Sequence, residues 1–128
     1  MNRVEKALEN HEKGYNCAQA VLCAFADMTD FSEDELFRIS EAFGFGMGRR
    51  DVCGAVSAMT FLAGLKNSCG VDALPDTNKK ESYALSKELI DAFETKNKSV
   101  ICAEIKDNNL RSCDGCIEDA VRILEERL

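Results

Sequence analysis

The sequence has no tryptophan, one proline and one histidine, and the scarcity of histidine excludes the most chemistry. His11 alone cannot build a His-rich zinc site, and it leaves next to no room for a Ser–His–Asp triad. Basic residues are also in short supply. Sixteen Lys and Arg stand against 23 Asp and Glu, for a net charge of −7 and a pI of about 4.8. Such a surface repels phosphate backbones, and no basic stripe relieves it, so nucleic acid is not an expected partner. Long hydrophobic runs are absent too. The longest uncharged stretch, VCGAVSAMTFLAGL at 52–65, falls short of the roughly 18 residues a membrane span needs. The N-terminus, MNRVEKALENHEKGYN, is too charged for a signal peptide. The expected location is the cytoplasm.

Cysteine is what the chain does have: seven in 128 residues. A chain of this length fits one domain, 1–128, and buries enough surface to fold without disulfides. In a reducing compartment seven thiols point to metal binding or redox work rather than to a static disulfide framework. The odd count fits, because an all-paired scaffold uses an even number.

The pattern is helical nearly throughout, and no run alternates like a strand. Val4, Leu8, His11 and Tyr15 share one face of a first helix that Gly14 ends. Asn16 caps a second, with Cys17, Ala20, Val21 and Ala24 aligned. Ser32 and Glu35 form a capping box for a third. After the glycine-rich FGFGMGRRD, Asp51 is placed to cap the uncharged fourth helix. A fifth carries Leu85, Leu89 and Phe93, and it follows the longest loop, NSCGVDALPDTN. Ser99 is placed to cap a short sixth helix, VICAEIK. DNNLRSCDGC reads as a turn-rich connection, and IEDAVRILEERL closes the chain. The predicted fold is an all-α compact bundle of about six or seven helices. The fourth is apolar on all sides, so it is expected either at the centre or partly covered by a second subunit, which makes a homodimer a candidate.

Four cysteines share one position. Cys17 follows Asn16, Cys53 is two after Asp51, Cys102 three after Ser99 and Cys116 two after Asp114. Each falls in a predicted first turn, where amides and the helix dipole favour negative charge. The same setting suits a thiolate-bound metal or an anionic cluster. Cys23 lies mid-helix on another face, Cys69 lies in the long loop, and Cys113 lies just outside its helix. Any one of these thiols is accounted for by packing alone; four in one position are less easily dismissed.

Three further features bear on the site. Arg49 and Arg50 stand at a helix start, where cations oppose the dipole. That placement suggests that they hold an anion or support the Cys53 thiolate, or that they are a solvated pair. CDGC at 113–116 opens a helix as a redox C-x-x-C does, but it would equally serve as a pair of metal ligands or a simple turn. FGFGMG lacks the G-x-G-x-x-G spacing and no strand precedes it, so nucleotide binding is not expected. It reads as a tight turn, or as backbone passing close to the cysteines.

NCAQAVLCAF, GFGMGRRDVCGAVSAMTFLAGLK, ICAEI and Cys116 before a final amphipathic helix together resemble the C_GCAxxG_C_C family. The resemblance covers nearly the whole chain. Matched motif by motif, the four signature cysteines fall on Cys17, Cys53, Cys102 and Cys116, the set that the capping positions select. The chain departs from CGAxxG at its last glycine, where Ala58 stands. The resemblance implies a small, mostly helical, redox-active protein of a kind often encoded near transporter genes. A redox partner or a transport-related protein is the partner class it implies.

Three readings follow. In the first, the chain is a thiol-based oxidoreductase in which Cys53 or Cys116 attacks and a second signature cysteine resolves. In the second, Cys17, Cys53, Cys102 and Cys116 ligate zinc or an iron–sulfur cluster that carries electrons or senses. In the third, the cysteines are inert and the protein is a structural helical domain. The cofactor is left open among none, zinc and a cluster. No acid–base constellation stands out among the carboxylates.

Overall fold

Apolar residues spaced three and four apart wind into seven helices in the computed structural model, which describes residues 1–128. They are α1 (Arg3–Glu12), α2 (Cys17–Cys23), α3 (Glu33–Ser40), α4 (Gly54–Asn67), α5 (Lys79–Asn97), α6 (Cys102–Asp107) and α7 (Cys113–Arg127). Short 3-10 turns at Ala26–Met28, Glu41–Phe43 and Val71–Ala73 join some of them. No helix is long and apolar enough to cross a membrane.

The uncharged helix takes the centre. α4 packs on α5, α2 and α7, while α1 lies on α7 and α3 on α2. Ala55, Val56, Ala58, Met59, Leu62 and Ala63 of α4 are all buried. Neighbouring helices of the same chain cover these residues, while Leu65 of α4 stays 42% exposed. Around it Leu22, Phe25, Leu36, Leu89, Phe93, Ile117 and Leu124 are sealed from solvent. Each such side chain contributes about 1.5–3 kcal/mol relative to exposure.

Two caps form as the sequence predicts. Asn16 accepts the Gln19 amide at 2.9 Å and Gln19 Oε1 accepts the Asn16 amide at 2.9 Å. Ser32 and Glu35 bond reciprocally in the same way. α1 is shorter than its pattern suggested. It stops at Glu12, so Tyr15 lies outside it, with its ring edge-on to Phe37 at 4.8 Å between centroids.

Three helix starts differ from the sequence expectation, and each difference has a local cause. Asp51 does not cap α4, because its carboxylate pairs with Arg49 at 2.9 Å; Cys53 itself occupies the N-cap. Ser99 does not cap α6. Its hydroxyl accepts the Ile101 amide at 3.0 Å and donates to Glu104 at 2.6 Å, leaving Cys102 as the first helical residue. Asp114 does not cap α7, because it faces His11 at 2.6 Å. Ser112 caps instead, accepting the Gly115 amide at 2.9 Å, and α7 begins three residues before Cys116, at Cys113.

The glycine-rich segment is a left-handed turn. Phe45, Met47 and Arg50 have φ of 54, 61 and 65°, as Gly46 and Gly48 do at 60 and 73°. Gly46 cannot be replaced there without displacement. A Cβ on it would lie 2.6 Å from the Asp51 nitrogen and 2.8 Å from the Cys102 Cβ. The turn delivers the chain into an isolated antiparallel bridge between Val52 and Ile101. There the Cys53 amide donates to Val100 O and the Cys102 amide to Asp51 O, both at 2.7 Å.

Candidate functional site

That bridge fixes the first two thiols. Cys53 and Cys102 each sit one residue beyond the paired positions, so α4 and α6 set out from adjacent points with a cysteine at each start. α2 adds Cys17 at its first residue, and α7 adds Cys113 at its first and Cys116 at its fourth. Gly54 lets α2 come in close. A Cβ there would approach the Ala18 nitrogen to 3.0 Å and Phe43 O to 3.1 Å. The four helix starts meet around a cavity of about 200 Å³, and Cys17, Cys53, Cys102, Cys113 and Cys116 all line it. The four thiols singled out in the sequence are therefore brought together. Cys23 and Cys69 lie elsewhere: Cys23 is buried with its thiol toward Glu33 O, and Cys69 is exposed in the long loop.

Within the cavity the thiols fall into two pairs and a single. Cys17 is paired electrostatically with Cys113, and both are half-buried. Cys53 is paired in the same way with Cys116, and these are only 6% and 3% exposed. Cys102, 5% exposed, has no thiol partner of this kind.

Each pair shares one proton unevenly. The Cys113 thiol is pulled down to about 5, first by its interaction with Cys17 and then, against the cost of burial, by Lys106. Lys106 Nζ donates to Cys113 Sγ at 2.6 Å, and the charge of His11 adds to the effect. Cys17, which keeps the proton, is pushed well up by Cys113 and by burial. In the inner pair Cys53 falls to about 7, first through its interaction with Cys116, with burial opposing. Its sulfur makes no capping hydrogen bond of standard geometry, so the Ala55 and Val56 amides favour its thiolate as dipoles at the start of α4. Cys116 is pushed well up by Cys53 and by burial. Burial also raises Cys102, and it takes Cys23 to about 11.

Position at a helix start is thus not enough to acidify a thiol. Of the four predicted cysteines only Cys53 is lowered: Cys17 and Cys116 are the members of their pairs that hold the hydrogen, and burial raises Cys102. The most acidic thiol is Cys113, which sequence reasoning set outside both the helix and the signature. CDGC is the available signal, but two cysteines at that spacing serve equally as metal ligands or a simple turn, and the expected cap at Asp114 puts Cys113 before the helix. Lys106 carried no signal at all, since its approach to Cys113 spans the α6–α7 connection.

The cations fall in places the sequence did not indicate. Arg49 pairs with Asp51 and Arg50 with Asp107, and neither guanidinium lines the cavity. The basic side chains that do line it are Lys106, His11 and Arg111. Arg111 is held by Asp119, a buried carboxylate, at 3.1 Å. Phe45, on its left-handed backbone, lines the cavity while staying 57% exposed, which puts it at the rim. No three His, Cys, Asp or Glu side chains in the chain are gathered closely enough to hold a metal ion. Cys17, Cys53, Cys102 and Cys116, the alternative ligand set, share the cavity without forming such a group.

A family model described as "Putative redox-active protein (C_GCAxxG_C_C)" matches residues 15–127. No curated protein and no solved structure matches the chain.

Proposed function

The chain belongs to the C_GCAxxG_C_C family, and on that premise we propose that it is a thiol–disulfide exchange protein in which Cys113 attacks and Cys17 resolves. The Cys113 thiolate attacks one sulfur of an incoming disulfide, forms a mixed disulfide and expels the other half as thiolate. Cys17 then attacks the Cys113 sulfur and expels the remaining half, which takes the Cys17 proton. The incoming disulfide is reduced to two thiols, and Cys17 and Cys113 are joined.

The observation that carries this reading is the half-buried Cys17–Cys113 pair with Lys106 against its acidic member. A thiolate formed at neutral pH is the attacking species in exchange, and a low thiol pKa makes it a good leaving group in the return direction. The partner class is a molecule with an accessible disulfide, since Cys113 is the more acidic thiol and is not sealed from solvent. The choice of Cys113 over Cys53 and Cys116 as attacking group follows from their 6% and 3% exposure.

The test is a thiol count. Anaerobically purified, reduced protein is exposed to oxidised glutathione, and free thiols are titrated with and without later reduction. At least two thiols should be lost and recovered, and Cys113→Ser should abolish the loss of Cys17. An unchanged titre overturns exchange. Stoichiometric iron or zinc in the same preparation would replace exchange with ligation.

A further inference from the structure

Exchange at Cys17–Cys113 leaves a second, buried dithiol on the same cavity without a task. We infer that Cys53 and Cys116 form an inner station that receives the disulfide made at Cys17–Cys113, so that the chain is an internal two-step relay. This inference rests on the exchange reading above.

The geometry supplies the path. The outer pair is half-buried and the inner pair nearly sealed, yet all four sulfurs line one cavity of about 200 Å³. An external disulfide meets Cys53 and Cys116 only through that space. The pairs also feel one another's charge across the cavity. Cys17 is raised in part by the charge of Cys53, Cys53 by that of Cys113, and Cys116 by those of Cys17 and Cys113. Cys113 and Cys116 stand three apart at the start of one helix, on one face.

The transfer balances without an added oxidant. The Cys53 thiolate attacks Cys17 of the outer disulfide, a Cys17–Cys53 bond forms, and Cys113 leaves as thiolate beside Lys106. Cys116 then attacks the Cys53 sulfur, a Cys53–Cys116 bond forms, and Cys17 leaves with the Cys116 proton. The outer dithiol is regenerated and the inner one is oxidised. Negative charge has moved from Cys53 to Cys113, and a proton from Cys116 to Cys17. The direction follows from where charge is better held. Cys113 has a lysine donating to its sulfur, whereas Cys53 has only amide dipoles and its thiol partner. At neutral pH the outer pair prefers to be the reduced one, and the disulfide moves inward. The inner station would shelter an oxidising equivalent from solution thiols and leave the outer pair free for a second turnover.

The experiment is a time-resolved disulfide map. Fully reduced protein receives one equivalent of oxidised glutathione, and aliquots are acid-quenched, alkylated, digested and read by mass spectrometry. A Cys17–Cys113 linkage should appear first and decay into Cys53–Cys116. In Cys113→Ser the inner linkage should form at least tenfold more slowly. In Cys116→Ser, a Cys17–Cys53 linkage should accumulate. Cys113 is not sealed in the core, so the first variant keeps the test decisive should the second fail to fold. A Cys17–Cys113 linkage that persists overturns the relay and leaves exchange standing. So does an inner linkage that forms equally fast in Cys113→Ser, since the inner pair is then oxidised directly. A chain in which neither linkage forms overturns both.

Discussion

Lys106 is the residue on which the acidity of Cys113 depends from outside its own pair, and removing its charge gives a sharp readout. The alkylation rate of an ordinary cysteine climbs about tenfold per pH unit until a pKa near 8.5. With its thiol lowered to about 5, Cys113 should instead be alkylated at a rate that is flat from pH 6 to 8 and falls below pH 5. Lys106→Met should move the midpoint of that profile upward toward the ordinary value. The rate at pH 7 should change far less than the midpoint, because a less acidic thiol is also the stronger nucleophile. Pseudo-first-order iodoacetamide kinetics, followed at the Cys113 peptide, checks both. Legibility at this scale was partial. Cys17, Cys53, Cys102 and Cys116 were selected from capping positions and motif alike, and all four line one cavity. Which thiol would be acidic was not legible, because it depends on which sulfur keeps the shared proton and on a lysine seven positions away. Arg49 and Arg50 stood out in the sequence as cations at a helix start, but their charges are taken by Asp51 and Asp107.

At the scale of the element, the glycine-rich turn and the Val52–Ile101 bridge hold Cys53 and Cys102 in register. The sequence located the turn and the close passage of its backbone by the thiols. It did not show the bridge, since a single pair of extended residues leaves no period to detect. Nor did it show the left-handed backbone at Phe45, Met47 and Arg50, where residues that disfavour positive φ are held there by their surroundings. Gly46→Ala tests the arrangement. It adds a Cβ against the Asp51 backbone and the Cys102 side chain at a φ of 60°. The expected loss is about 3 kcal/mol in urea unfolding, from left-handed strain together with the displaced neighbours. Native-state alkylation of Cys53 and Cys102 should quicken at the same time, because the bridge is what keeps both buried. Loss of stability with no change in their alkylation would separate the turn from the site. Asn16→Ala is the companion change at α2. Losing its cap over Gln19 and its 2.8 Å bond to Glu41 O should cost about 1–2 kcal/mol.

For the molecule as a whole, an apolar helix surrounded by amphipathic ones was readable as a centre, and α4 occupies it. Hydropathy alone carries that information, whereas sulfur pairing across the cavity depends on how four helix starts meet. The consequence at this scale is that the pH dependence of stability differs between the two redox states. Joining Cys53 to Cys116 closes a loop of roughly 60 residues and, on the chain-entropy account, stabilises the oxidised protein by about 4 kcal/mol before strain. Thiolate formation adds a pH-dependent contribution, part of which belongs to the reduced protein alone. Cys113 is lowered to about 5 in the folded state and lies near 8.5 when unfolded. A thiol with a depressed pKa stabilises the fold fully above its unfolded value, and that stabilisation is lost as pH falls through the folded one. The Cys53 thiol, lowered to about 7, adds to it in the upper part of the range. Between pH 5 and 8 the reduced protein should therefore gain stability with rising pH, while the protein carrying the Cys53–Cys116 disulfide keeps only the Cys113 share. The advantage of oxidation should be widest near pH 5 and shrink toward pH 8. Lys106→Met should flatten the pH dependence of both forms by weakening the Cys113 share. Urea midpoints of the two redox forms, measured at pH 5, 6, 7 and 8 in wild type and Lys106→Met, decide it. A constant gap across that range would show that Cys53 is not held as a thiolate when reduced.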